Sequence, residues 1–209
     1  MDNFSKNPGI SDRCLKIENC LKEIGKKEYI GSILSGLQKK QKMISSVFFY
    51  DERGSKLFER ITRLPEYYLT RTEKELIKVA AAENREELKN SDIVEIGSGD
   101  SSKISILLEA VPQNFIESIH YIPVDISYAA LKESSSKLLD SFEGLNIHAL
   151  VADFVKQLNV IPDGGKRIVC FFGRWVGNFS GTKDESFISE LGDFRKSGDI
   201  LFLGLDMMK

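Results

Sequence analysis

The spacing of apolar residues changes near residue 90 and divides the chain into two regions. In the first region apolar residues recur every three or four positions, which is the period of helices with one buried face. A first helix is predicted after a cap at Ser11, with apolar positions at Cys14, Leu15, Ile17, Leu21 and Ile24.

Two later segments of this region carry start and stop signals of helices. Ser55 is predicted to cap a short helix that ends before Pro65. Thr72 and Glu75 form a capping-box pattern ahead of a longer helix. We therefore expect residues 1–90 to form an N-terminal helical region.

From residue 91 onward, short β-rich runs alternate with segments of helical spacing. The runs are "DIVEIG", "HYIPVDIS", "NIHALVAD", "RIVCFFG" and "DILFLGLD", and each ends at Gly, Asp or Ser. Strands linked by helices favour right-handed crossovers and a parallel sheet. We predict an α/β domain over residues 91–209, with five parallel strands and helices on both faces.

Composition narrows the classes of partner. The 209 residues include 29 basic and 31 acidic side chains, which gives a net charge of -2 without a long run of one sign. A nucleic-acid surface is therefore not expected, and a small-molecule ligand is favoured. No apolar run approaches the roughly 20 residues that span a bilayer, so we expect a cytosolic protein without membrane contact. A monomer is the default expectation.

The cysteines do not suggest a metal site. Cys14, Cys20 and Cys170 lack the spacing of metal ligands, and only two histidines accompany them. We expect free thiols in or near the core, and no bound metal.

Chemistry is concentrated where the predicted strands end. Gly97 and Gly99 follow the first strand of the α/β region, and Ser102 stands where a dinucleotide-binding fingerprint has its third glycine. Asp125 follows the next strand and suits two ribose hydroxyls, while Asp153 beside Phe154 suits an adenine. Glycine and aspartate also often only turn the chain after a strand. The pattern favours a nucleotide-like cofactor without deciding which one.

A longer set of motifs resembles a known family. "FFYDERGSKLFERITRLPEYYLTRTE", "VEIGSGDSSK", "YIPVDIS", "VADF" and "VGNF" occur in that order from about residue 40 to residue 209. They resemble the histidine-specific N-α-methyltransferases of ergothioneine biosynthesis, which use S-adenosylmethionine. The resemblance implies a Rossmann-like class I methyltransferase sheet and methylation of the α-amino group of histidine or a related amino acid.

The resemblance also implies roles for particular residues. The cofactor would contact seven of them: Gly97, Ser98, Gly99, Lys103, Asp125, Asp153 and Phe154. Lys103 would reach its carboxylate, Asp125 its ribose, and the last two its adenine. The amino-acid substrate would contact Tyr50, Tyr67, Gly173 and Asn178, and the catalytic positioning would fall to Tyr50 and Asn178. Arg71 is expected to have a structural role as an ion-pair or capping residue.

Two features depart from the family pattern. The loop that carries Asn178 reads "GRWVGN", so Arg174 and Trp175 stand where the family usually has small hydroxyl residues. The family also continues well beyond its fifth strand, so the resemblance implies a C-terminally truncated chain that lacks part of the amino-acid pocket. An active methyltransferase, an inactive module that retains cofactor binding, and a nucleotide-dependent oxidoreductase are the three hypotheses that remain.

Overall fold

The computed structural model describes residues 15–21, 26–44, 48, 52–173 and 182–205. Its strands are β1 (Leu15–Asn19), β2 (Asp92–Ile96), β3 (His120–Asp125), β4 (Asn146–Val151), β5 (Arg167–Phe171) and β6 (Ile200–Leu203). Its α-helices are α1 (Lys26–Leu37), α2 (Glu52–Thr62), α3 (Leu69–Glu83), α4 (Arg85–Leu88), α5 (Ile104–Glu109), α6 (Tyr128–Ser141) and α7 (Thr182–Phe194). Short 3-10 helices cover Gln113–Ser118 and Leu158–Val160.

The six strands form one parallel sheet in the order β1-β4-β3-β2-β5-β6. Strands β2, β3 and β4 advance towards one edge of the sheet, whereas β5 and β6 lie on the other side of β2. The strand order therefore reverses between β2 and β5, which is where ligands bind in open α/β sheets.

Each face of the sheet has its own hydrophobic core. On one face Ile93 of β2 packs in a cluster with helical residues such as Ile77 and Leu107. On the other face Val94 packs in a cluster with Phe187 and Leu191 of α7. Because alternate residues of a strand point to opposite faces, β2 is buried on both sides and reads as a nearly continuous apolar run. The predicted α/β sheet with helices on both faces is confirmed.

Helices α3 and α4 of the N-terminal region pack against the same sheet. Ile77 and Ala81 of α3 belong to the core cluster that contains β2 and α5. This core cluster contains residues from both before and after residue 90. The domain boundary that we predict at that residue therefore stays a prediction.

The first predicted helix is wrong, and the sheet has a sixth strand in addition to the five that we predict after residue 90, which are all present. Residues Leu15–Asn19 form β1, which pairs in parallel with β4 so that Leu15 lies opposite Ile147. The apolar positions Leu15 and Ile17 are two residues apart, and both pack against the core beside β4. This pairing with a distant strand overrides the local helical spacing. Ser11 and Cys14 lie outside the described residues.

The predicted helix starts also need correction. Helix α3 begins at Leu69 with Tyr68 at its N-cap and without a side-chain cap, so Thr72 and Glu75 lie inside the helix. Ser55 likewise lies inside α2, although that helix does end before Pro65 as predicted.

Between β4 and β5 the crossover contains only the 3-10 helix among its described residues.

The thiols that the structure describes are free. Cys170 is fully buried in β5, as expected of a core thiol, and Cys20 is partly exposed just after β1. Burial raises the pKa of the Cys170 thiol, with Glu95 adding to the effect, so Cys170 is not a reactive thiolate.

Candidate active site

The predicted cofactor residues meet at the carboxyl edge of the sheet. Strands β2, β3, β4 and β5 all run in the same direction, so the loops that follow them lie at one edge. These loops carry the glycines after β2, Asp153 after β4 and Gly173 after β5, while Asp125 ends β3. The structure thus brings together residues that are far apart in the sequence.

The loop after β2 has the backbone conformation that needs glycine. Gly97 and Gly99 have φ angles of 68° and 52°, in the left-handed region. Backbone N–H groups of Gly97 and Ser98 donate to the Val124 carbonyl over 2.8 and 3.3 Å, which ties the loop to the end of β3. A Cβ atom placed on Gly99 would have no described heavy atom within 4 Å apart from its chain neighbours, so open space lies beside this backbone. The loop can therefore be approached closely by a ligand.

Ser98 supplies an unpaired polar atom in this loop. Its side chain is buried, and Oγ has no hydrogen-bond partner among the described residues. Buried hydroxyl groups are usually hydrogen-bonded, so an unpaired one beside open backbone is available to a polar ligand. This observation fits a polar cofactor at the loop.

Asp125 connects the glycine loop to the next helix. Its Oδ2 accepts the Gly99 N–H at 3.0 Å, and its Oδ1 accepts the Ser127 N–H at 2.9 Å. Ser127 in turn caps α6 by accepting the Ala130 N–H at 3.2 Å. Burial raises the pKa of Asp125 more than these backbone bonds lower it. Each carboxylate oxygen has a second lone pair, so Asp125 can also accept from two ligand hydroxyls.

Asp153 and Phe154 contribute differently to the loop after β4. Asp153 accepts the Val155 N–H through Oδ1 at 3.2 Å and pairs with Lys156 through Oδ2 at 2.9 Å. The Phe154 ring is buried edge-on against Phe171 and Phe187, with centroids 5.9 and 6.0 Å away. The ring therefore serves the core, and the assignment of these two residues to an adenine stays a prediction.

Lys103 and Gly173 share one carboxylate, that of Glu73 on α3. Lys103 is the N-cap residue of α5, and its Nζ lies 2.8 Å from Glu73 Oε2. The Gly173 N–H donates to Glu73 Oε1 at 2.5 Å. Lys103, which is predicted to bind the cofactor, and Gly173, which is predicted to bind the substrate, are thus joined by Glu73, for which the sequence predicts no role. The only sequence signal was an acid at the end of the "YYLTRTE" block.

The predicted substrate tyrosines are only partly described. Tyr67 is half-buried, and its ring lies edge-on to Phe58 at a centroid distance of 6.2 Å. Arg71 donates to the carbonyls of Leu64, Pro65 and Tyr67 at 3.0, 2.6 and 3.4 Å, which fixes the turn before α3. The structural role predicted for Arg71 is confirmed as capping of this turn. Tyr50, Arg174, Trp175 and Asn178 lie outside the described residues.

A second buried carboxyl group belongs to β2, the strand that leads into the glycine loop. Glu95 of β2 is 1% exposed and accepts the Tyr121 hydroxyl at 2.5 Å. Burial raises the pKa of Glu95 to about 8, although Tyr121 and Lys103 lower it. In the sequence Glu95 is predicted only as part of a strand, and no motif marks it as a functional residue.

A shallow cavity of about 670 Å³ lies at the opposite edge of the sheet. It is lined by the first residues of several strands, among them Leu15, His120 and Asn146. His120 there bonds Asp92 at 2.9 Å. Because it is at the amino ends of the strands, this cavity is separate from the residues assigned to cofactor and substrate.

Comparisons with known proteins identify the family of this chain. The profile of the family described as "Histidine-specific methyltransferase, SAM-dependent" matches residues 29–209. The chain belongs to this family. The predicted family and its cofactor, S-adenosylmethionine, are confirmed, and the hypothesis of a nucleotide-dependent oxidoreductase is wrong.

Curated members of the histidine-specific methyltransferase family are longer than this chain. A histidine N-alpha-methyltransferase of Mycobacterium tuberculosis is 36% identical over 177 residues, which are 85% of this chain and 55% of that protein. Ergothioneine biosynthesis protein 1 of Neurospora crassa is 29% identical over 172 residues, which are 79% of this chain and 19% of that protein. The chain thus spans about half the length of the mycobacterial relative and a fifth of the fungal one.

Solved structures support the fold of this family member. The mitomycin 7-O-methyltransferase MmcR superposes with a TM-score of 0.53 at 20% identity, over 76% of this chain and 42% of that one. A putative methyltransferase from Thermobifida fusca gives 0.50 at 16% identity, over 72% and 59%. The Rossmann-like methyltransferase fold is therefore confirmed. No helix in the described ranges is long and apolar enough to cross a bilayer.

Proposed function

We propose that this chain binds S-adenosylmethionine at the carboxyl edge of its sheet and methylates the α-amino group of histidine or a related amino acid. The observation that carries the proposal is the bond between the Asp125 carboxylate and the Gly99 N–H, at 3.0 Å, beside the point where strand order reverses. It joins a ribose-binding acid to an open glycine loop. The family match and the mycobacterial relative supply the reaction and the substrate class.

The residues of the site fit this cofactor. The open backbone at Gly99 and the unpaired Ser98 hydroxyl suit the methionine part, and Asp125 suits the ribose hydroxyls. Lys103 has three donors, so its ammonium group can bind a carboxylate while it keeps its bond to Glu73.

Little acid or base chemistry is required of the protein. When bound, S-adenosylmethionine supplies a methyl group on a sulfonium, and the amine nitrogen displaces the thioether and then loses a proton. The lone pair of the amine is the nucleophile, so alignment provides most of the rate enhancement. Tyr50, Tyr67, Gly173 and Asn178 are proposed to hold the amino acid through groups without formal charge. These four groups add no charge of their own that would favour protonation of the amine.

Binding measurements test this function directly. We expect S-adenosylmethionine to bind in equilibrium dialysis, and Asp125→Ala to weaken binding at least roughly tenfold, since about 1.4 kcal/mol corresponds to a factor of ten. Asp140→Ala changes an exposed acid of α6 and is the matched control, with unchanged affinity expected. Absence of binding to the unmodified chain, or equal affinity of Asp125→Ala, contradicts the proposal.

Turnover is measured separately from binding. Mass spectrometry of histidine incubated with the chain and cofactor is expected to show a gain of one or more methyl groups. Asn178→Ala should depress this turnover far more than it depresses cofactor affinity. Because the chain spans about half the length of the mycobacterial relative, the alternative function is a module that binds cofactor without turnover. Binding without methylated product selects that alternative.

We further propose that the protein acts as a monomer in the cytosol on a small-molecule substrate. The near balance of 29 basic and 31 acidic residues supports a ligand other than nucleic acid. Sedimentation at several concentrations tests the monomer, and a concentration-dependent mass contradicts it.

A further inference from the structure

Glu73 lies where four segments of the chain converge. It belongs to the second turn of α3, and its carboxylate contacts Lys103 at the start of α5 and Gly173 after β5. The fourth segment is Gly204, directly after β6, whose N–H donates to the Phe171 carbonyl at 2.9 Å. The carboxylate therefore sits at the carboxyl edge of the sheet, beside the proposed cofactor site.

The packing around this carboxylate leaves no room for a side chain at Gly204. A Cβ atom built there would overlap Glu73 Oε1 and would lie 3.3 Å from the Gly173 nitrogen and 3.4 Å from Phe172 Cα. The position of Glu73 is thus fixed by backbone on one side and by the Lys103 ammonium on the other. The side chains of Glu73 and Lys103 are only 19% and 21% exposed, so water screens their attraction less than at a surface pair.

The two oxygens of Glu73 serve different partners. Oε2 pairs with Lys103, which the proposed function assigns to the carboxylate of the cofactor. Oε1 accepts from Gly173, which the proposed function assigns to the amino acid. We propose that Glu73 is the positioning residue that couples the two pockets, so that binding of cofactor at Lys103 strengthens binding of the amino acid beside Gly173. This inference rests on the function proposed above.

The physical basis of the coupling is a shared carboxylate. When the carboxylate of the cofactor also binds the Lys103 ammonium, the attraction between Lys103 and Glu73 Oε2 becomes weaker. The hydrogen bond that Glu73 Oε1 accepts from Gly173 then becomes stronger. That bond holds the Gly173 backbone in place, and a backbone that is already fixed at this position loses less conformational entropy when the amino acid binds. Coupling of this kind is reciprocal, so the amino acid must tighten cofactor binding by the same factor.

A purely structural role for Glu73 makes a different prediction. It would lower stability and both affinities together when Glu73 is replaced, and it would leave their ratio unchanged. The coupling factor is the cofactor Kd without histidine divided by the Kd with saturating histidine. Both dissociation constants are measured on the same variant, so a general loss of folded protein affects them equally and cancels in the ratio. The factor therefore distinguishes a positioning role of Glu73 from a purely structural one.

The experiment measures this factor by calorimetry in the full chain and in three variants. Glu73→Gln keeps the shape and an acceptor for Gly173 but removes the charge that attracts Lys103. Glu73→Ala removes both contacts. Glu75→Gln is the matched control, because Glu75 lies on the same helix, is 71% exposed and pairs only with Lys78 in the described structure, at 2.7 Å.

We expect a factor of roughly fivefold or more for the unmodified chain and for Glu75→Gln, which is the lower range of typical couplings. We expect less than about twofold for Glu73→Ala and a reduced factor for Glu73→Gln, with the melting temperature of Glu73→Gln close to that of the unmodified chain. If Glu73→Ala does not fold, the reduction in Glu73→Gln carries the test. An undiminished factor in folded Glu73 variants overturns the coupling role alone. A chain that binds no cofactor overturns the proposed function and the coupling with it.

Discussion

Glu95 places a carboxyl group inside β2, between β3 and β5, where the residue is 1% exposed. Its one described side-chain hydrogen bond comes from the Tyr121 hydroxyl, at 2.5 Å. Burial disfavours the ionised form and raises the pKa of Glu95 to about 8, against the lowering effects of Tyr121 and Lys103. Near neutral pH the buried carboxyl is therefore mainly uncharged.

This raised pKa predicts a loss of stability with increasing pH. In the unfolded chain the Glu95 carboxyl ionises near pH 4.5, whereas in the fold it ionises near pH 8. Its contribution to the free energy of unfolding is therefore complete below pH 4.5 and is lost as the pH rises towards 8. Between those values the loss is about 1.4 kcal/mol per pH unit at most. Urea unfolding of the unmodified chain and of Glu95→Gln at pH 5, 6, 7 and 8 checks this. The unmodified chain should lose stability relative to the variant.

The control for this measurement is Glu109→Gln, which changes an exposed glutamate at the end of α5. Its stability should follow that of the unmodified chain at every pH. Parallel profiles for the unmodified chain and Glu95→Gln would show that the Glu95 carboxyl does not titrate differently in the fold.

Residues of the candidate site were predictable to different degrees. Gly97, Gly99 and Asp125 follow recognisable strands, so their place at one edge of the sheet follows from the alternation of strands and helices. Glu73 contacts Gly173 across 100 positions of sequence, and no periodic pattern encodes such a contact. This contact becomes visible only when α3 is packed on the sheet. The same holds for Glu95, whose strand was predicted but whose protonation depends on what surrounds it.

At the scale of elements, one buried ion pair joins β5, β6 and α7. Arg167 at the start of β5 and Asp199 just before β6 have side chains 1% and 2% exposed, with Nη2 and Oδ2 2.6 Å apart. Arg167 also donates to the Phe194 carbonyl at 2.9 Å, and its guanidinium lies 4.4 Å from the Phe194 ring centroid. Asp199 Oδ2 accepts the Lys196 N–H at 2.9 Å as well. The pair thus fixes the end of α7 against the sheet.

Removal of one partner of this pair should be strongly destabilising. Asp199→Ala leaves the Arg167 charge buried without its carboxylate, and such a change costs about 3–5 kcal/mol. Denaturant unfolding measures the loss. Asp193→Ala, at an exposed position of α7, is the matched control and should change stability by less than about 0.5 kcal/mol.

A double variant distinguishes an unpaired charge from a packing defect. Arg167→Met combined with Asp199→Ala removes both charges, so it should recover a large part of the stability lost in Asp199→Ala alone. A double variant that is less stable than Asp199→Ala indicates that packing of the Arg167 side chain dominates instead.

The strands were predicted correctly where a run of residues had both the length and the composition of a strand. All five strands expected after residue 90 are present within about two residues of their apolar runs, because each run is short, apolar and ended by a turn residue. Strand β1 was missed because Leu15, Ile17 and Leu21 satisfy a helical spacing as well as an alternating one. The choice between the two is made by the exposed edge of β4, which β1 covers with parallel hydrogen bonds. Local sequence carries no information about that edge.

On the scale of the whole molecule, apolar exposure differs between the two regions. Eight large apolar side chains of α1, α2 and α3 are more than a third exposed: Ile30, Leu34, Leu37, Leu57, Phe58, Ile61, Leu76 and Val79. In the described residues after 90, only Tyr128, Ile188 and Leu205 are exposed to that degree. Single exposed apolar residues are ordinary, but neighbouring ones such as Leu76 and Val79, three residues apart on α3, favour binding of apolar molecules.

This difference predicts that the folded chain binds an apolar fluorescent dye through its N-terminal helices. Leu76 and Val79 of α3 are 64% and 56% exposed, so Leu76→Lys with Val79→Lys should reduce dye fluorescence at least about twofold while the stability changes by less than about 0.5 kcal/mol per site. Ile188→Lys on α7, at a position 38% exposed, is the control and should leave the fluorescence nearly unchanged. Fluorescence that falls equally in both variants would place the dye elsewhere. A double variant that loses several kcal/mol would mean that Leu76 and Val79 are covered in solution, because exposed side chains cannot contribute that much to folding.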